Sequence, residues 1–170
     1  PTQAAQTTET QPEETQPEET QPEETHPIEI RETISISIAE DLVALGENCS
    51  LDTWSLDKRV VLEADISLRG VDFEPIATFG GIFEGNGHVI SDLNLTGDFA
   101  PAGLFGIVQS TGRIRNLTVE GTVEPGGEGS NAGGIAGENY GRLENCAFSG
   151  TVTGKRNTGG IAGSNYGTLN

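Results

Sequence analysis

Apolar side chains recur at alternate positions in short runs, and glycine-rich turns separate the runs. Ile28, Ile30, Ile34, Ile36 and Ile38 open the pattern, with Glu32 as its polar interruption. A first strand is expected there, because alternate side chains of a strand share one face. Ser37 followed three residues later by Glu40 has capping-box spacing, and Leu42 and Leu45 then repeat at a helical interval before Gly46. That pattern predicts one short amphipathic helix over residues 39–47. Farther on, Leu93 and Leu95, and then Leu117, Val119 and Val123, mark short strands with one inward face.

The runs also repeat. Gly133-Gly-Ile-Ala-Gly-Glu-Asn-Tyr-Gly141 returns as Gly159-Gly-Ile-Ala-Gly-Ser-Asn-Tyr-Gly167, a period of 26 residues with one substitution in nine. Looser copies begin at Asp65, Asp92, Asn116 and Asn145, spaced by 27, 24 and 29 residues. Units this short cannot hold a crossover helix plus two strands. Parallel coils stacked into a β-solenoid satisfy the alternation, the turns and the period together, since only inward side chains must stay in register. About four coils are expected. Ile82, Leu104, Ile135 and Ile161 are assigned to one interior column, and Ile90, Ile114, Leu143 and Leu169 to another. Asp92, Asn116 and Asn145 are assigned to one corner, as a structural column in which a side-chain amide or carboxylate bonds its neighbours and tolerates a bent backbone.

The stretch Phe83-Glu-Gly-Asn-Gly-His88 with Ile90-Ser-Asp-Leu93, then Gly103-Leu-Phe-Gly106 and the two Gly-Gly-Ile-Ala-Gly boxes, resembles the GLUG-motif proteins of bacterial cell surfaces. The resemblance runs over residues 36–170. It implies an all-β, right-handed parallel β-helix whose amino end is covered by the short helix and the early strands. GLUG repeats also accompany the zinc peptidase domain of immunoglobulin A1 proteases; this sequence holds no such domain, and the resemblance transfers no catalytic residue.

Composition sets the amino-terminal segment apart. Residues 11–25 are three copies of Gln-Pro-Glu-Glu-Thr, and all 24 glycines lie at or beyond Gly46. A segment with no aliphatic residue larger than alanine cannot repay its chain entropy by burial, so residues 1–27 are expected to be a disordered, extended spacer and residues 28–170 the folded domain. Seven of the 26 acids lie in that spacer, which leaves 19 against 9 bases. Such a surface disfavours nucleic acid and anionic lipid. No run is long and apolar enough for a membrane span, so no membrane insertion is expected from these residues. Asn170 falls partway through a coil, and further repeats are expected beyond it.

Catalytic equipment is sparse. Zinc hydrolysis needs convergent ligands, but the histidines are His26 in the spacer and His88 in a repeated turn. Neither a nucleophile elbow, nor a phosphate-cradling loop, nor an Asp-rich calcium repeat occurs. No metal or cofactor is therefore expected. Glu74, Glu84 and Asp98 are the loop acids open to glycoside chemistry, and the outward residues Arg113, Arg115, Thr118, Glu120 and Ser149 offer no acidic pair. Cys146 should be a small buried hydrophobe, too far from Cys49 for a disulfide. Trp54 should pack in the cap. Tyr140 and Tyr166 recur at one turn, and an aromatic ladder there is a candidate ligand-binding surface for sugar rings; the simpler role is packing over the Asn-Tyr-Gly turns.

The expected function is a non-catalytic extracellular surface module, a stalk or adhesion surface whose partner is an extracellular glycan or a host protein. The alternative is a carbohydrate-active β-helix enzyme, or a non-catalytic fragment of a surface protease.

Overall fold

The computed structural model describes residues 29–128 and 130–170. The spacer 1–27 with His26, and Ile28 at the expected domain start, lie outside the described residues. The elements run β1 (Glu32–Ile36), α1 (Ala39–Asn48), β2 (Lys58–Leu62), β3 (Ile66–Ser67), β4 (Ile76–Phe79), β5 (Ile82–Glu84), β6 (Val89–Leu95) and β7 (Phe105–Val108). They continue with β8 (Arg113–Val123), β9 (Ala132–Gly133), β10 (Ala136–Asn139), β11 (Arg142–Val152), β12 (Thr158–Gly159), β13 (Ala162–Asn165) and β14 (Thr168–Leu169).

The paired strands are parallel, each joined to a strand one coil away. One sheet follows the order β1-β2-β5-β8-β11-β14, with β3 and β6 joined to it through β8. A second sheet runs β13-β10-β7-β4, and β9 pairs with β12 as a short third face. The protein is a parallel β-solenoid of about five turns, one more than the repeats suggest. The additional turn is the first, in which α1 takes the place of a second-sheet strand and so carries no repeat. Helix α1 packs beside β1 and β4. It thus covers the second sheet's first strand, which would otherwise present unpaired backbone.

The helix starts differently from the capping-box reading. Ile38 is the N-cap residue, and the Asp41 carboxylate accepts from the backbone N–H groups of Ser37 and Ile38 at 2.9 and 3.2 Å. The partner is therefore one residue beyond Glu40, and the Ser37 hydroxyl plays no part in the cap. Leu42 and Leu45 are buried as the helical spacing requires.

Register corrects both interior columns. Ile114 and Leu143 align with Leu169, but the residue above Ile114 is Phe83, followed by Val60 and Ile34. Ile90 belongs to a separate column, between Ile66 and Val119. Leu104, Ile135 and Ile161 do align, as the pairing of Phe105, Ala136 and Ala162 shows. Ile82 lies in the other sheet, opposite Arg113, and is only half-buried. The Gly80-Gly81-Ile82 triplet imitates the Gly-Gly-Ile box but forms the turn between β4 and β5.

Phe79, Phe83 and Phe105 are fully buried where the two sheets face each other. Their ring centroids lie 5.3–6.1 Å apart, with edge-to-face or tilted planes, a geometry that adds about 0.5–1.5 kcal/mol per pair to the area they bury. The cluster spans the second and third coils and ties the sheets together. Replacing Phe83 by alanine is expected to cost about 3–5 kcal/mol, read as a lowered urea midpoint; a loss below 1 kcal/mol would place the cluster outside the cooperative core.

Candidate functional site

The structure brings together two of the three residues assigned to the corner column. Asn116 and Asn145 are aligned, and the Asn145 carboxamide donates to Asn116 Oδ1 at 2.8 Å. Asn116 in turn donates to Glu84 Oε1 at 2.7 Å, while Arg115 lies 3.2 Å from the other Glu84 oxygen. Both asparagines have left-handed backbone, φ +53° and +50°, which asparagine tolerates better than a branched residue. Each bends one long strand, β8 or β11, across the corner.

Asp92 stands apart from this column. Its neighbours Leu93 and Leu95 pair with Gly121 and Val123, not with Leu117 and Val119. The register slips between Ile90 and Leu93, so Asp92 sits on a β-bulge at φ +59°. There its carboxylate accepts from the Ser67 hydroxyl at 2.7 Å and lies 3.3 Å from Arg69, both in the preceding coil. The left-handed residue at the corner of Asp92's own coil is Asn86, whose carboxamide donates to the Leu62 carbonyl of the preceding coil at 2.9 Å. The bulge leaves no room beside it: a side chain at Gly121, itself at φ +152°, would collide with the Leu93 carbonyl.

Two further asparagine ladders escaped the sequence reading. Asn139, fully buried, donates to Asn165 Oδ1 at 2.7 Å, and Asn157 donates to Asn131 Oδ1 at 2.9 Å. The first pair was visible as the Asn of each Asn-Tyr-Gly turn, but the tyrosine beside it drew the functional reading.

Tyr140 and Tyr166 meet as neighbours on successive coils. Their centroids are 4.9 Å apart with planes inclined by 14°, a stacked pair. Both rings are exposed, Tyr166 more so. The Tyr140 hydroxyl donates to Glu138 at 3.1 Å, which fixes the ring and pushes its phenol pKa up.

The other candidates are dispersed over the fold. Among the acids, Glu84 is buried and held by Arg115 and Asn116, whereas Asp98 is exposed. Glu74 lines a cleft of about 280 Å³ with Asp72, Glu47 and Val43. His88 Nδ1 lies 3.0 Å from Asp65, which also accepts from the Val89 N–H. Trp54 packs against the core with the Lys58 ammonium 5.3 Å from its ring. Cys49 and Cys146 are both free thiols. Burial pushes the Cys49 thiol up to about 12 and also raises that of Cys146, so both resist ionisation. Cys146 aligns with Leu117 and is half-buried, but Leu93 is not part of its column. Among the described residues no three His, Cys, Asp or Glu side chains are grouped to hold a metal ion. No described helix is long and apolar enough to cross a membrane.

Residues 128–153, from the loop before β9 through β11, match the GLUG motif. The chain is a parallel β-solenoid that carries one match to the GLUG motif. Over 82 residues, 48% of its length, it is 39% identical to halomucin of Haloquadratum walsbyi, of which the match spans 1%. Its fold is similar to that of a crystal structure from Bacteroides ovatus described as an immunoglobulin A1 protease. That likeness has TM-score 0.55 and 22% identity, and covers 79% of this chain and 54% of the other.

Asp92 provides a pH test of the bulge. Its bond from Ser67, and then Arg69, hold its carboxyl below the usual carboxylate range. A pKa lower in the folded than in the unfolded chain means that the unfolded state takes up the proton first, so the contribution is present above about pH 4 and lost as pH falls. Asp92→Asn should therefore lose less stability between pH 5 and about pH 3 than the parent, followed by thermal melts. Parallel acid profiles for the two proteins would contradict the assignment.

Proposed function

We propose that the chain is a non-catalytic module of an extracellular surface protein, a β-solenoid stalk whose turns carry an adhesive or ligand-presenting face. The observation that carries this reading is the use made of its carboxylates. Glu84, Asp92 and Asp65 each accept bonds from the neighbouring coil, so their oxygens are engaged in stapling coils together. The likeness to halomucin, whose name marks it as mucin-like, and the GLUG motif favour the extracellular setting. A net charge of −17 adds a reason for solubility outside the cell without attraction to anionic envelopes. The turns, stacked along one side, supply the variable surface on which a glycan or host protein would be recognised.

One observation favours the alternative of a carbohydrate-active enzyme or a protease fragment: the cleft beside α1 gathers Glu47, Asp72 and Glu74. The two readings separate experimentally. Brief protease treatment of intact cells producing the parent protein should release peptides from residues 29–170, and the purified chain should leave polysaccharides uncut. Protection of these peptides on intact cells, or polysaccharide turnover abolished by Glu74→Gln, would overturn the proposal.

A further inference from the structure

The stacked tyrosines have a third rung. Val108 aligns with Asn139, and Asn139 with Asn165, so Gln109 occupies the position before Tyr140 and Tyr166. Its side chain does not join the stack: the carboxamide donates to the Asp52 carbonyl at 2.8 Å, pinning the loop that follows α1. That loop can lie so close because the turn beneath it is Gly80-Gly81; a side chain at Gly80 would strike Leu56 and Gln109, and one at Gly81 the Ser55 carbonyl. The result is a groove of about 500 Å³ between the pinned loop and Tyr140, lined by Leu56, Ile107, Ser110, Thr111, Asp52 and Thr53 among others. One face of Tyr140 is taken by Tyr166, and its ring closes the groove on the other side.

We infer that this groove binds a neutral hexopyranose residue, which completes the stack on Tyr140. Three features select that occupant. The vacant rung is bounded by an aromatic ring and by aliphatic groups of Leu56 and Ile107, which suit the C–H face of a pyranose. Ser110, Thr53 and Asp52 are among the lining residues, and their hydroxyls and carboxylate are groups that pair with sugar hydroxyls. Asp52 lies in the groove, Glu138 bonds the Tyr140 hydroxyl, and the chain carries an excess of negative charge. A uronate or another anionic sugar is therefore repelled. Tyr166 acts as a positioning residue that keeps the Tyr140 ring from swinging out of line. The inference rests on the ligand-presenting part of the proposed function and names its ligand class.

The test is proton-detected NMR titration of the full chain with maltose, cellobiose and lactose, and with glucuronate as the anionic comparison. At least one neutral sugar should shift the Tyr140 ring and Leu56 methyl resonances saturably, with glucuronate weaker by about tenfold. Tyr140→Ala should reduce affinity by about tenfold or more. Tyr140→Phe, which keeps the ring and drops the bond to Glu138, should retain binding and covers the case in which the alanine variant misfolds. Gln109→Tyr should fill the rung and abolish binding. Absence of shifts with every neutral sugar, equal binding of glucuronate, or affinity indifferent to Gln109→Tyr would overturn the inference. A groove that instead takes only aromatic peptide side chains would overturn it too. None of these results alters whether the chain is exposed on intact cells, so the surface assignment stands or falls separately.

Discussion

Each coil must hydrogen-bond to the coil before it in parallel, about 4.8 Å away, and nearly everything else in this protein follows from that constraint. Side chains one period apart are forced together whether or not they attract. Apolar ones become interior columns, and asparagines become ladders in which one carboxamide donates a hydrogen bond to the next. A buried charge at such a position needs an opposite or hydrogen-bonding partner in the adjacent coil, as Glu84 has in Arg115 and Asn116. An asparagine ladder serves two ends at once. It satisfies polar groups that would be costly to leave unpaired, and it holds a left-handed corner that only a few residue types adopt without strain.

The same constraint explains which features were legible in the sequence. Where two coils differ by no insertion, register is plain: the nine-residue boxes around Ala136 and Ala162 align as their identity suggests. Reading failed where a coil absorbs extra residues. Asp92-Leu93-x-Leu95 looks like Asn116-Leu117-x-Val119, yet the bulge and the loop after β6 move it along its partner, to Gly121 and Val123. Gly80-Gly81-Ile82 was a decoy for a similar reason, since a glycine pair is needed both at a box and at a turn crossed by another loop. The helix cap was misplaced by one residue because Glu40 and Asp41 are both acidic, and only the backbone path decides which one can reach the Ser37 and Ile38 amides.

For the candidate site, sequence identified the tyrosine recurrence and the structure supplied its meaning. Rings one coil apart on a solenoid stack on each other, so the pair does not lie side by side as a flat sugar platform. What remains to bind with is the end of the stack, and the folding back of Gln109 toward Asp52 leaves that end open. No pattern in the sequence could have announced this, because the contact joins residues 57 positions apart in a loop that has no repeat. The acids tell a complementary story: Glu84, Asp92 and Asp65 are each bonded to a neighbouring coil.

The register of the third and fourth coils is where the account is most exposed, because sequence similarity and structure disagree there by four residues. In a chain with Cys49 and Cys146 changed to alanine, a cysteine pair replacing Asn94 and Thr122 tests it directly. Those positions are opposite each other on adjacent strands, within the spacing that a disulfide can bridge. The account predicts rapid oxidation of that pair, and little or none when Asn94 is paired instead with Thr118. Crosslinking of Asn94→Cys with Thr118→Cys in preference to Thr122→Cys would contradict it, and with it the assignment of Asp92 to the bulge.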